Sequence, residues 1–275
     1  MSHPLLARLA SPDAAERRAA CLAAVDDPSA VLLLEPVARA LGDPVNAVSR
    51  AASDALVRLA ARHREVEETL RGALRSDDPR RRFGAAYTQA RLRPPGPQLL
   101  PAAVEALGSA DGDMRWAAAR LLVDMGRLHG EVLGVLLGLA AAAESPLVRR
   151  MAAFALRELA PDRPEAARAL VLASRDSDRD VRRAATSALA GLLDPPREVP
   201  ARLLEALGAD PDAGVRRIAA VALGELCAER PEALPAGALE ALRRAGDETE
   251  DASLRRAAAR ALERLGGAGL ARGER

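Results

Sequence analysis

Apolar residues recur along this chain in helical stripes, and the stripe itself recurs. In DRDVRRAATSAL (178–189), Val181, Ala185, Ala188 and Leu189 fall 0, 4, 7 and 8 places along one face, and Leu192 continues it at 11. That spacing is the signature of an amphipathic α-helix. The same pattern appears in DAGVRRIAAVAL (212–223), SPLVRRMAAFAL (145–156) and DASLRRAAARAL (251–262). Weaker copies are DGDMRWAAARLL (111–122), VNAVSRAASDAL (45–56), DDPRRRFGAAYT (77–88) and DAAERRAACLAA (13–24). Anchoring each copy on the residue before its first Arg position gives Glu16, Val48, Arg80, Met114, Val148, Val181, Val215 and Leu254. The anchors are 32 to 34 residues apart, with 39 before the last. A period this even predicts one array of stacked supersecondary units over residues 1–275 instead of two globular domains.

Each period holds two helices. Helix B starts near the anchor, and an acid or Ser three residues earlier sits where an N-cap is wanted, as at Asp13, Asp178, Asp212 and Asp251. Helix A precedes it, at roughly 31–41, 64–74, 98–107, 131–142, 165–173, 199–207 and 234–244. Four places after the anchor the residue is always tiny: Ala20, Ala52, Gly84, Ala118, Ala152, Ala185, Ala219 and Ala258. Helices are expected to approach closely there.

The D-x-x-V-R-R-x-A-A-x-A-L pattern resembles HEAT repeats, specifically the short bacterial kind also found in phycobilin-lyase subunits. The resemblance covers residues 3–265. It implies an all-α fold, a right-handed α-solenoid superhelix of about eight helical hairpins, with B helices lining a concave surface that binds other proteins. It also implies that the helix-B Asp and the first Arg pair along the stack. That Arg is Arg17, Arg81, Arg115, Arg149, Arg182, Arg216 or Arg255, with Ser49 breaking the row.

Composition supports the helical reading. Ala and Leu dominate the apolar residues, and only Phe83, Tyr87, Trp116 and Phe154 are aromatic. All 40 basic residues are Arg, a bias that suggests a GC-rich bacterial genome and weakens the evidential value of any single Arg. The formal charge of +1 is spread evenly, against a dedicated nucleic-acid binder. No secretory signal is expected at the start. The longest apolar run, about Val132 to Ala143, is too short to span a bilayer, and two cysteines fit a reducing compartment. A cytoplasmic location is the expectation.

Candidate chemistry is sparse. His3, His63 and His129 lack ligand spacing, there is no CxxC, and no glycine-rich phosphate loop or nucleophile elbow appears. Neither catalysis, a cofactor nor a metal is expected. The second Arg of each repeat (Arg18, Arg50, Arg82, Arg150, Arg183, Arg217, Arg256) is expected to point outward toward a partner. Trp116 replaces that Arg in its repeat, and Phe154 stands six after its anchor where other repeats carry Asp54, Arg120, Ser187 or Arg260. Both are expected at solvent-facing positions, and Trp, Tyr and Arg are enriched in binding hot spots. Phe83 and Tyr87, at offsets three and seven, suit packing; Tyr87 is kept among the candidate contacts. Residues 71–93 hold seven Arg against Asp77 and Asp78, a local excess next to two aromatics.

Three functions follow from these features. The first is a non-catalytic scaffold that binds a protein with an acidic or mixed-charge surface. Its contacts would be Trp116, Phe154, Arg82, Arg150, Arg183, Arg217 and Tyr87. The second is a nucleic-acid-binding solenoid resembling the alkylpurine DNA glycosylases. The third is a bilin-lyase-like subunit.

Overall fold

A computed structural model describes residues 3–193 and 195–267, and every regular element within them is helical. The ends of the expected array, 1–2 and 268–275, lie outside the described residues. Among the described residues sixteen α-helices alternate in two series, an α-solenoid architecture. The A helices are α1 (Pro4–Leu9), α3 (Ala30–Arg39), α5 (Glu65–Ala73), α7 (Leu100–Ala106), α9 (Glu131–Ala142), α11 (Pro164–Ala173), α13 (Glu198–Ala209) and α15 (Ala238–Asp247). The B helices are α2 (Ala14–Ala23), α4 (Asn46–Ala60), α6 (Pro79–Leu92), α8 (Gly112–Leu128), α10 (Pro146–Leu159), α12 (Arg179–Ala190), α14 (Ala213–Glu229) and α16 (Ala252–Gly267).

The chain forms two compact units, Met1–Val132 and Leu133–Arg275. In the first, α2, α4, α6 and α8 stack in order, and α1, α3 and α5 form the start of the second layer. In the second, α10, α12, α14 and α16 stack in order, backed by α11, α13 and α15. Within each unit successive hairpins therefore bury one another's apolar faces, which none could do alone.

The N-caps are where the sequence places them. Asp13, Asp111, Asp178, Asp212 and Asp251 each accept a backbone N–H from the first turn of their helix. One helix start differs. Helix α15 begins at Ala238, four residues later than the pattern suggests, because Gly237 takes a left-handed φ of 77° just before it.

The third repeat is out of register by one residue. Asp78, not Asp77, caps α6, and Pro79 follows at the first helical position. The anchor is therefore Arg81, the first Arg is Arg82, and the tiny site is Ala85. With that correction the small row is Ala in all eight repeats, and every one is 0% exposed.

In three repeats the first Arg does more than pair with an acid. Arg17 Nε and Nη2 donate to Asp43 at 2.6 and 3.0 Å, while Nη1 donates to the Ser11 and Pro12 carbonyls. Arg149 repeats this with Asp176 and the Ala143 and Glu144 carbonyls. Arg182 does so with Asp210 and the Asp176 and Ser177 carbonyls. Each of these arginines ties its own interhelical turn to the turn of the next hairpin through a planar fork that Lys cannot supply.

The acid is not the helix-B cap that the resemblance implies. It lies two residues earlier and itself accepts the amide N–H of the cap residue, as Asp43 does from Val45, Asp176 from Asp178 and Asp210 from Asp212. Burial pushes the Asp43 and Asp176 carboxyls up, but hydrogen bonds from Arg17 and Arg149 and from those amides outweigh it. Both groups are held below the ordinary carboxylate range.

Candidate functional site

On a B helix, positions two, three, six and ten after the anchor fall within about 100° of one another around the axis. They form the face that the neighbouring A helices do not cover, and in each unit that face holds a cavity.

In the first unit the cavity has a volume of about 450 Å³ and lies across α4, α6 and α8. Its apolar lining includes Leu41, Phe83, Met114 and Ala117. Gly84 lets α6 come down on the turn after α3. A Cβ there would stand 2.8 Å from both the Leu41 side chain and its carbonyl oxygen. Tyr87 lines the cavity and is 40% exposed. Its ring sits 6.2 Å from that of Phe83, and the Arg91 guanidinium lies 6.0 Å from its centroid. Arg91 is fixed there by Asp54 at 2.7 Å and the Ser53 hydroxyl at 2.9 Å.

The cavity's other polar residues belong to a clasp that skips a repeat. Arg50 on α4 donates to Asp113 on α8 at 2.6 Å, and Asn46 donates to Asp111 and Asp113 at 3.5 and 3.3 Å. Arg80 of the intervening helix completes the group, donating to Asn46 Oδ1 at 2.9 Å and Asp111 at 3.0 Å. Solenoid repeats ordinarily touch only their neighbours. Here the second and fourth meet across the third.

In the second unit a cavity of about 410 Å³ lies across α12, α14 and α16. It is lined by Ile218, Val221 and Ala222 with Arg217, Arg256 and Arg260 around them. Val221 is 40% exposed.

The candidate contact residues divide between the units. In the first, Trp116 is 49% exposed on α8, and Tyr87 is in the cavity wall. Arg82 leaves the outward row altogether. It is the first Arg of its repeat, donating through Nε and Nη2 to Glu105 and through Nη1 to the Ser76 carbonyl. The corrected register also moves the aromatics: Phe83 shares the second-Arg row with Trp116, and Tyr87 shares the sixth-position row with Phe154. Phe83 is buried there, Tyr87 is not.

In the second unit Phe154 is half-buried, not solvent-facing, with the Arg157 guanidinium 5.6 Å from its ring centre. Arg150 is half-buried on α10. Arg183, part-exposed, reaches to the next repeat and grips the Asp212 cap with two 2.8 Å bonds. Arg217 is exposed and lines the cavity.

The basic excess of residues 71–93 is neutralised by acids from outside that segment. Arg80 pairs with Asp111, Arg81 with Glu35, Arg82 with Glu105, Arg91 with Asp54 and Arg93 with Glu67. Sequence reasoning missed the clasp residues Asn46, Arg50 and Asp113, whose partners lie more than sixty residues away. It also missed Val221, an apolar residue in the sixth-position row that Leu22, Tyr87 and Phe154 share and that is otherwise Asp54, Arg120, Ser187 and Arg260.

Cys21 and Cys227 are buried, and burial pushes both thiols up to about 11. Among the described residues no group of three or more His, Cys, Asp or Glu could hold a metal ion. No helix among them is long and apolar enough to cross a membrane.

Residues 100–190 match the family model of HEAT repeats. The crystal structure of importin beta in an ammonium sulfate condition superimposes with a TM-score of 0.61 at 17% identity, covering 96% of this chain and 40% of that one. The chain thus spans two fifths of importin beta's length, and the likeness is one of fold. An engineered protein of known crystal structure is 22% identical over 95% of this chain and 77% of its own, with a TM-score of 0.46. No curated protein matches by sequence.

Proposed function

Taking as premise that this chain is a HEAT-repeat protein, we propose that it is a non-catalytic scaffold that binds another protein on the uncovered face of its B helices. One observation carries the reading. Trp116 and Tyr87, two of only four aromatic residues, are exposed on that face of the first unit, and Tyr87 borders its cavity. Both rings keep a large share of their surface in water, and a partner that covers one gains part of the roughly 1.5–3 kcal/mol of a full side-chain burial. The interleaved charges of the cavity, Arg50 with Asp113 and Arg91 with Asp54, suit a partner of mixed surface charge. Phe154, Arg150 and Arg217 would add contacts from the second unit, and a cytoplasmic location belongs to the same reading.

The nucleic-acid alternative is weaker, since the one basic and aromatic segment has five of its seven arginines already paired with carboxylates. The bilin-lyase-like alternative has no observation in its favour, since neither buried cysteine offers a carrier thiolate.

The test is affinity capture from the native organism with wild type, Trp116→Ala and Tyr87→Ala, followed by titration of the purified captured protein. Trp116→Ala should weaken binding at least tenfold, about 1.4 kcal/mol, with thermal melting unchanged. Intact binding with a large loss of stability would make Trp116 a packing residue and move the site elsewhere.

A further inference from the structure

Many arginines of the B helices are matched to acids. Arg17, Arg50, Arg80, Arg82, Arg149, Arg182 and Arg183 each hold a carboxylate. The second-unit cavity gathers three that are not ion-paired. Arg217 on α14 and Arg256 and Arg260 on α16 all line it. Among the described residues none of the three has a carboxylate within ion-pair distance, and Arg256 reaches only the Ser253 hydroxyl at 3.2 Å. The one acid in the lining, Glu225, is engaged by Arg264 at 3.2 Å. Three arginines without a direct ion pair therefore ring a floor of Ile218, Val221 and Ala222, and Arg217 feels a nearby carboxylate, Asp251, through space.

We propose that this groove binds a short acidic segment of a partner protein, with an aliphatic side chain on Val221 and flanking carboxylates on Arg217, Arg256 and Arg260. Guanidinium groups take carboxylates in bidentate pairs, which fixes orientation as well as charge. The floor favours peptide over nucleic acid. It is aliphatic throughout, whereas single-stranded nucleic-acid sites stack bases on aromatic rings, and the groove has none. The proposal rests on the protein-binding reading and gives it a second contact of defined chemistry, separate from the aromatic residues of the first unit.

The test titrates the full chain against three fluorescein-labelled probes by anisotropy. The first is a decapeptide of alternating Glu and Leu, the second oligoglutamate of equal length, the third oligothymidylate of equal charge. The Glu–Leu peptide should bind most tightly and weaken as salt is raised, because screening at physiological ionic strength limits exposed charges to a reach of about 8 Å. Arg217→Gln combined with Arg260→Gln should cut its affinity at least tenfold, and Val221→Ser should bring it down to that of oligoglutamate. Trp116→Ala should leave it unchanged.

All these substitutions are at exposed positions, and thermal melts check that each variant remains folded. A Glu–Leu peptide that binds no better than oligoglutamate, or equally well to the double variant, overturns the proposal. Tightest binding of oligothymidylate overturns it in favour of nucleic acid. If the peptide fails while a captured partner still depends on Trp116, the groove proposal falls and the scaffold reading stands.

Discussion

Gln89 occupies a site built for leucine. It stands eight residues after the corrected anchor of α6, in the row that holds Leu56, Leu122, Leu156, Leu189 and Leu223, all 0% exposed. Gln89 is itself 2% exposed, and neither its Nε2 nor its Oε1 meets a hydrogen-bond partner. A buried amide left in this state costs about 1–3 kcal/mol. Leucine is close in volume, so the exchange neither opens a cavity nor overpacks the site. Gln89→Leu should therefore stabilise the protein by about 2 kcal/mol. At roughly 2–4 °C per kcal/mol for a chain of 150–250 residues, the melting midpoint should rise by several degrees.

Differential scanning calorimetry of wild type, Gln89→Leu and the reciprocal Leu189→Gln measures both directions of the exchange. Leu189→Gln should lower stability, since it loses burial and installs the same orphan amide. An unchanged or lowered midpoint in Gln89→Leu would refute the reasoning. It would mean that the amide is satisfied in solution and that the site is polar by need.

Three further outcomes follow from the packing and the ladder. Ala185→Leu should destabilise by about 1–3 kcal/mol in urea unfolding, because its row is fully buried alanine throughout; wild-type stability would contradict the register. Gly224→Ala should also destabilise, despite alanine's better helix propensity, since the added Cβ would lie 2.7 Å from Ala261 Cα; a gain in stability would show that α14 and α16 separate freely. In acid titration followed by circular dichroism, Asp43 and Asp176 have lowered pKa values in the folded state. Their stabilisation is complete above the unfolded value of about 3.9 and is lost as pH falls through the folded value. Arg149→Met removes the hydrogen bonds and the charge that do most to hold Asp176 down and leaves the Asp178 amide and Ser177 against burial, so its acid unfolding should begin at higher pH; identical profiles would mean that the Arg149–Asp176 rung contributes no pH-dependent stability.

The eight hairpins were legible because alanine at one position and an acid at another recur with little drift, and both report backbone geometry directly. The third repeat was misread for a local reason. In DDPRRRFG, two candidate caps precede three consecutive arginines, and the pattern fits either phase. Pro79 was the deciding residue, since proline after Asp78 suits the first helical position. That single step moved Arg82 from the outward row to the ladder and Tyr87 onto the exposed face. The fate of the arginines was harder to read. Arg183 and Arg217 occupy the same place in their repeats, yet one meets Asp212 and the other lines a cavity. The difference depends on which acid the next hairpin brings near. Local sequence is equally silent on Arg50 and Asp113, because their meeting depends on how closely the helices on either side of α6 approach.

That clasp changes what can be removed from the chain. Where contacts join only adjacent hairpins, a whole period can be deleted or duplicated and the flanking surfaces still match. The stretch from α12 to α14, joined by Arg182 and Asp210, has that modular character. The stretch from α4 to α8 does not. With the second and fourth hairpins bonded to each other and both bonded to Arg80 between them, excising the third would strand partners on both sides. Excision of the third hairpin is therefore expected to disturb more than excision of one bonded only to its neighbours.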